Sequence, residues 1–166
     1  LTKNLLKDGK DNFKHTLKQD LTNEQKDLIL KKGVYPYEYI DSYDKFNEDK
    51  LPPKESFYSS LNEEHIKDEE YIHAVNVWNK FNIKNIGEYH DLYLKTDVLL
   101  LTDIFESFRK TAMKNYDLDP ANGYYTLPNY AWDCMLKMTK VKLEQITDID
   151  IYLMIEQGIR GGTSMI

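Results

Sequence analysis

The most constraining feature of the sequence is an apolar run at helical spacing, residues 89–108, that contains an acidic residue, Asp97. Tyr93 lies four residues before Asp97, so the phenol and the carboxylate share one face of any helix here. A carboxylate next to four apolar residues, 98–101, is expected to be partly desolvated, which is costly unless it is paired, hydrogen-bonded or bound to a metal. The simpler alternative is that Asp97 points out of the stripe into water, because a Tyr-x-x-x-Asp spacing is short enough to arise by chance.

Composition limits the class of protein. The chain has 166 residues, of which 41% are hydrophobic and 30% charged, as is typical of a globular protein with a real core. With a formal net charge of −6, any contact with DNA must be local or supplied by sequence beyond these residues. The single Cys134 excludes an internal disulfide and indicates a reducing, intracellular compartment. No apolar run approaches the roughly 20 residues that cross a bilayer.

Local signals predict a mostly helical chain. Thr22 and Gln25 form a capping-box start for a helix over 23–32, and Gly33 would end it. Further helices are predicted over 68–81, over 86–114, from Pro128 onward and over 148–158. Their predicted inner faces carry Ile72, Val75 and Trp78 in the second of these helices, and Ala131, Met135 and Met138 in the fourth.

The segments between the predicted helices are also informative. Residues 34–60 read as extended chain whose aromatic side chains attach it to a neighbour, and residues 119–123 form a turn. The closing residues, 159–166, are expected to form a glycine-containing turn that enters a strand. Because the chain begins with Leu1 and stops inside this expected strand, we expect a piece of a longer protein.

Two short motifs carry a resemblance to a known family. The first is Tyr93-Leu-Lys-Thr-Asp97, and the second, about sixty residues later, is Ile159-Arg160-Gly161-Gly162. Between them lies YYTLPNYAWDCMLKMT, and upstream lies KKGVYPYEYIDSYDKF. In this order and with these flanks, the sequence resembles the protein-primed family B DNA polymerases of organelles, viruses and mobile elements over nearly its whole length.

The resemblance implies both a fold and an activity. Residues 1–117 would be the C-terminal part of a 3′–5′ exonuclease domain, and residues 118–166 the start of the polymerase palm. The implied fold class is a mainly α fragment of an α/β, ribonuclease-H-like exonuclease domain leading into an α+β palm. The parent enzyme would be a DNA-directed DNA polymerase with proofreading. Its partners would be a DNA primer–template, deoxynucleoside triphosphates, Mg²⁺ or Mn²⁺, and a terminal priming protein.

The resemblance also assigns roles in the exonuclease reaction. Asp97 would be one carboxylate ligand of a two-metal site, and Tyr93 would orient the attacking water, since a phenol with a pKa near 10 is a poor base. The family has an assisting lysine upstream of this motif. By order along the chain this is Lys32, with Lys31 as the second choice; the plainer alternative is a solvated lysine at a helix end.

The second motif is implied to bind DNA. Gly161 and Gly162 suit a backbone that approaches a phosphate chain closely, and Arg160 adds positive charge for the same phosphates. The family usually has tyrosine at the first position, where this chain has Ile159, so a role that needs the tyrosine ring does not carry over. The alternative is an ordinary turn before a strand.

Two other readings of the whole chain stay open. One is a non-catalytic helical interaction domain whose tyrosines and acidic surface bind a protein partner; in that case the Asp97 carboxylate should be exposed or salt-bridged within the chain. The other is a decayed copy of a mobile-element gene without present activity.

The chain contains neither the other exonuclease carboxylate motifs nor any polymerase motif of the family. We therefore expect purified 1–166 to be inactive, because one metal ligand does not make a two-metal site. The measurement is Mg²⁺-dependent release of 3′ nucleotides from a labelled oligonucleotide, and release above background would contradict the expectation.

Overall fold

The computed structural model describes residues 2–18 and 20–159, which form α-helices, short 3₁₀ turns and irregular chain. The α-helices of these ranges are α1 (Thr2–Lys7), α2 (Asn23–Ile29), α3 (Asp68–Lys80), α4 (Ile86–Tyr116), α5 (Leu127–Thr139) and α6 (Ile149–Gly158). The 3₁₀ turns are Lys10–Asn12, Thr16–Lys18, Tyr43–Asn47 and Lys54–Phe57. Within the same ranges, no helix combines the length and the apolar character needed to cross a membrane.

The predicted fold class is wrong for the part of the chain that the structure describes. No strand or sheet occurs there, and the nearest feature is an isolated antiparallel bridge between Ser59 and Glu64. An α/β exonuclease domain leading into an α+β palm requires paired strands, so this helical chain contradicts it. The physical reason lies in residues 33–37, which bond to a helix instead of pairing with a strand: the hydroxyls of Tyr35 and Tyr37 and the carbonyl of Val34 all bond to side chains of α4. The strand expected at the end falls mainly on 160–166, outside the described residues.

The predicted helices themselves are confirmed, and their ends shift by up to three residues. α2 begins at the predicted capping box: the Gln25 N–H donates to the Thr22 hydroxyl (3.3 Å), and the Thr22 N–H donates to the Gln25 side chain (3.0 Å). It ends at Ile29, three residues before the predicted end. α6 begins where predicted, because the Asp148 carboxylate accepts hydrogen bonds from two N–H groups of the first turn.

The predicted inner faces of two helices are shifted around the helix axis. In α3 the fully buried residue is Ala74, and Trp78 of the predicted face packs against the apolar core, whereas Ile72 of that face is 58% exposed. In α5 the buried residues are Tyr130 and Cys134, whereas Met138 is 66% exposed. Short helices with apolar residues on more than one side do not specify from sequence which side packs, and the neighbouring elements decide it.

The described residues fall into two compact units, one up to Asn115 and one from Tyr116 onward. The first unit has two apolar clusters, one around Phe57, Ala74, Ile83 and Tyr89, and the other around Phe13, Leu30 and Leu100. Tyr89 and Leu100 both come from α4, so this helix supports both clusters. The division lies close to the boundary expected after Asp117; the assignment of the units to exonuclease and palm stays a prediction.

The second unit is organised around the predicted turn at 119–123 and the helix α5. The Asp119 carboxylate accepts a hydrogen bond from the Ala121 N–H (3.0 Å), and Gly123 has φ +84°, a conformation that favours glycine. The Tyr130 hydroxyl donates to the Leu118 carbonyl (3.3 Å), which joins the turn to α5. These contacts confirm the turn that was predicted from sequence.

A buried aspartate on α4 attaches the N-terminal segment to the first unit. Asp103 is 2% exposed, and its carboxylate accepts hydrogen bonds from the His15 N–H (3.0 Å), the Thr16 N–H (2.8 Å) and the Thr16 hydroxyl (2.7 Å). The His15 ring Nδ1 lies 2.8 Å from the same carboxylate. Burial alone would raise the pKa of Asp103, but these hydrogen bonds outweigh it and hold the pKa below its ordinary value.

Asp103→Ala should lower the free energy of unfolding by about 3 kcal/mol, because it leaves buried donors of Thr16 without an acceptor. Urea denaturation measures this loss, and Asp91→Ala, an exposed position on the same helix, should change the free energy by less than about 0.5 kcal/mol. Since the folded pKa of Asp103 is lowered, its contribution is present above about pH 4 and is lost as the pH falls through the folded pKa. Equal losses for the two variants would contradict this account.

Candidate functional site

The first half of α4 carries the residues predicted from sequence. Tyr89, Tyr93 and Asp97 follow one another at intervals of four, so they lie along one side of the helix. Tyr89 is buried, Tyr93 is half-buried and Asp97 is exposed. Burial therefore decreases along this side of α4, from the core to the surface.

The expectation of a desolvated Asp97 is wrong. The residue is exposed, and within the described residues no hydrogen bond or ion pair holds its carboxylate. The four apolar residues that follow it do not surround it, because successive residues of a helix point about 100° apart. Of those four, Leu100 is buried, whereas Val98 and Leu101 are 54% and 64% exposed.

Residues 33–37, which follow α2, lie against the first half of α4 and attach to it mainly through aromatic side chains. We call them the crossing segment. We call Tyr35, Tyr37, Tyr89, His90 and Tyr93 the tyrosine cluster. Three hydrogen bonds join the crossing segment to the helix: Tyr89 Oη to the Val34 carbonyl (2.5 Å), Tyr35 Oη with His90 Nδ1 (2.6 Å), and Tyr37 Oη with Tyr93 Oη (2.5 Å). This arrangement confirms the prediction that the aromatics of residues 34–60 attach that segment to a neighbour.

The ring of Tyr93 is held on several sides. Tyr35 stacks on it, with ring centroids 4.8 Å apart and planes 25° apart, and Tyr37 meets it edge-on at 6.2 Å and 85°. Gly33 lies against another edge: a Cβ at this position would stand 2.7 and 2.8 Å from two ring carbons of Tyr93. Glycine is therefore needed at position 33 for close approach, which is a different reason from the helix stop predicted there.

Tyr93 is a neutral phenol. Burial raises its pKa, and the hydrogen bond with Tyr37 and the negative charge of Asp97 raise it further above the ordinary value of about 10. The hydroxyl can therefore donate and accept hydrogen bonds near neutral pH, but it cannot act as an ionised base.

A small cavity of about 30 Å³ lies beside Tyr93, enough for one or two water molecules. Its walls are mostly apolar and come from the end of α2, from α3 and from α4. Its polar lining residues are Lys31, His73, Tyr93, Thr96 and Asp97. The cavity is thus the place where a cation, a phenol and a carboxylate from separate segments come together.

The two candidate lysines line different spaces beside Tyr93. Lys31 lines the small cavity together with Tyr93 and Asp97. Lys32, the first choice from sequence, instead lines an open groove of about 300 Å³ with Tyr35, Tyr37 and Tyr93. Consecutive residues at the end of a helix point in different directions, so order along the chain could not separate the two.

Sequence reasoning missed two residues of this region. His73, on α3, lines the small cavity, and burial and the positive charge of Lys31 lower its pKa, so the imidazole is neutral at pH 7. Tyr37 bonds to Tyr93, and the alternation of tyrosines at 35, 37 and 39 was the signal that side chains of this segment share a side. A lone histidine on an amphipathic helix carries no such signal.

The structure does not describe the glycine motif, and it bears on the predicted metal site only through the residues around Asp97. Arg160, Gly161 and Gly162 lie outside the described residues. Among the described residues, no group of three or more His, Cys, Asp or Glu side chains is placed to hold a metal ion. Of the residues that the structure describes, Asp97 is the one carboxylate lining the small cavity, and a single carboxylate does not fit a two-metal site.

Comparison of the chain with known proteins gives no match to any family model, curated protein or solved structure.

Gly33→Ala should displace the ring of Tyr93 and lower the free energy of unfolding by about 1–3 kcal/mol, because Tyr35 stacks on that ring and restricts its retreat. Urea denaturation and the near-ultraviolet circular dichroism of the tyrosines are the measurements. Gly158→Ala, where an added Cβ meets nothing within 4 Å, is the control and should be neutral or stabilising. An unchanged tyrosine spectrum in Gly33→Ala would rule out the close approach.

Proposed function

We propose that this chain is a helical part of a protein-primed family B DNA polymerase and that Tyr93 and Asp97 serve the removal of 3′ nucleotides. The observation that carries the proposal is the small cavity. Lys31, Tyr93 and Asp97 come from two separate segments, and all three line that cavity. From order along the chain alone, the resemblance had paired Lys32 with this tyrosine and this aspartate, and Lys31 was its second choice.

The chemistry of Tyr93 fits a positioning role. Its hydroxyl is neutral, because burial and the neighbouring Tyr37 and Asp97 raise its pKa. A fixed neutral phenol can hydrogen-bond a water molecule or a phosphate oxygen without changing its own charge. The ring contacts with Tyr35 and Gly33 hold it in place before any substrate arrives.

The chemistry of Asp97 fits a ligand that works together with groups from elsewhere. Its carboxylate is exposed at the surface end of the helical face and has no protein partner within the described residues. The proposed enzyme uses Mg²⁺ or Mn²⁺, and the further carboxylates that this requires would come from outside the described residues.

The charge distribution is consistent with local DNA contacts. The chain is acidic overall, with a formal net charge of −6, so a DNA strand would be held by particular basic residues and not by the whole surface. Lys31 and Lys32 are both exposed beside Tyr93. In the proposed polymerase, Arg160, Gly161 and Gly162 would contact the primer–template, and deoxynucleoside triphosphates and a terminal priming protein would be the other partners.

A second candidate, a non-catalytic helical interaction domain, is favoured by two observations. The Asp97 carboxylate is exposed, as expected for that reading. α4 also exposes apolar side chains along one stripe, at Leu94, Val98, Leu101 and Phe105, and exposed apolar stripes mark interaction surfaces. In this candidate, changing Asp97 would leave any nuclease activity unaffected.

Asp97→Ala in the complete gene product should abolish 3′–5′ exonuclease activity, by at least about a hundredfold, and largely spare DNA synthesis. The reason is that the carboxylate lies at the cavity with Tyr93 and is not part of the packed core. The measurements are nucleotide release from a labelled single strand and primer extension on the same preparation.

Asp91→Ala is the matched control, since Asp91 is an exposed aspartate earlier on α4, and both activities should be retained. Equal loss of exonuclease and synthesis in Asp97→Ala would mark the residue as structural. Exonuclease activity that survives this substitution would refute its proposed role.

A further inference from the structure

We infer that Tyr37 is a positioning residue for Tyr93, fixing the direction of its hydroxyl through their hydrogen bond. The inference rests on the proposed exonuclease function of Tyr93 and adds a residue that the sequence motifs do not contain. It adds no chemical step, because Tyr37 acts on Tyr93 and not on the substrate.

The packing around Tyr93 fixes its ring but not the rotation of its hydroxyl hydrogen. Its ring is confined by the stacked ring of Tyr35 and by the backbone at Gly33, so the plane of the ring is set. The hydrogen of a phenol still rotates about the C–O bond, and only a hydrogen bond directs it. The Tyr37 hydroxyl, 2.5 Å from the Tyr93 hydroxyl, makes that bond.

The other hydroxyls of the tyrosine cluster are committed elsewhere. The Tyr35 hydroxyl bonds to His90 Nδ1, and the Tyr89 hydroxyl donates to the Val34 carbonyl. Among the described residues, Tyr37 is therefore the hydrogen-bond partner of Tyr93. Its place two residues after Tyr35 brings both phenols to the same side of the crossing segment.

The direction of this hydrogen bond determines what Tyr93 can do. Each phenol has one hydrogen and can also accept, and either can be the donor in this pair. When Tyr93 donates to Tyr37, the direction that raises the pKa of Tyr93, its oxygen is left to accept a hydrogen bond from a water molecule. A hydroxyl that donates one hydrogen bond is also a stronger acceptor in the next, because consecutive hydrogen bonds polarise one another.

Tyr37 contributes little to the packing of the unit. It is 68% exposed, in contrast to the buried Tyr89 of the same cluster, so removing its hydroxyl should leave the fold intact. Tyr37 lines the open groove and is not among the residues that line the small cavity at Asp97, whereas Tyr93 lines both. A hydroxyl on the groove side can thus hold Tyr93 without occupying the space beside the carboxylate.

The test uses the complete gene product with Tyr37→Phe, which keeps the ring and removes only the hydroxyl. We expect kcat for 3′ nucleotide release to fall about tenfold, with an unchanged KM for the oligonucleotide, unchanged primer extension and an unchanged midpoint of thermal unfolding. Tyr43→Phe is the matched control, since Tyr43 is an 87% exposed tyrosine without a hydrogen bond at its hydroxyl in the described part of the chain, and it should behave as the parent.

A double variant tests whether Tyr37 affects the reaction only through Tyr93 or also independently of it. If Tyr37 acts only through Tyr93, then Tyr37→Phe should cost nothing further once Tyr93→Phe is present. A full additional loss in the double variant, or a rise in KM in the single variant, would overturn the inference.

The outcomes also distinguish this inference from the proposed function. Normal exonuclease kcat in Tyr37→Phe, together with no activity in Asp97→Ala, would overturn the role of Tyr37 and leave the proposed function standing. No exonuclease activity in the parent protein, or full activity in Asp97→Ala, would overturn the proposed function and this inference with it.

Discussion

The first unit depends on one constraint, the helical repeat of α4. This helix has 31 residues, and its buried residues Ile86, Tyr89, Leu100 and Asp103 lie on one side of it, so that side contacts the rest of the unit. Near its start, that side meets the crossing segment through Tyr89, His90 and Tyr93. Two to three turns later it meets the N-terminal segment through Leu100 and Asp103. Because one helix makes both contacts, the positions of the crossing segment and of the N-terminal segment are both set by α4.

The polar contacts of the unit differ in what they contribute. Exposed ion pairs such as Lys10–Asp27 and Lys80–Glu24 join side chains that are more than half exposed, and such pairs contribute about 0–1 kcal/mol. The hydrogen bonds at Asp103 are buried, so leaving their donors without a partner costs more. The tyrosine cluster lies between these extremes. The hydroxyls of Tyr89 and Tyr35 bond to the Val34 carbonyl and to His90, and the more exposed Tyr37 hydroxyl bonds to that of Tyr93.

Sequence reasoning succeeded where the signal is local. The capping box at Thr22, the cap at Asp148 and the turn at Asp119 depend on a side chain and a backbone group a few residues apart, and all three are present. It failed where the outcome depends on a distant partner. Asp97 was expected to be desolvated and is exposed, whereas Asp103, which drew no attention, is the buried aspartate. The acceptor role of Asp103 needs donors at positions 15 and 16, which nothing near it in sequence reveals. The α/β fold class failed for a related reason, because a sheet needs partner strands that the described residues do not form.

The sequence by itself determined that helices begin at the caps of Thr22 and Asp148, that Tyr93 and Asp97 share one side of a helix, and that a tyrosine-rich segment attaches to a neighbour. These follow from the helical repeat and from capping, which act over a few residues. Only the tertiary structure decided that Lys31 and not Lys32 lines the cavity with Asp97, that Gly33 is needed for the ring of Tyr93, and that Tyr37 is the partner of the Tyr93 hydroxyl. Each of these depends on two segments more than fifty residues apart in the chain, and their separation in space is set by the packing of α2, α3 and the crossing segment against α4.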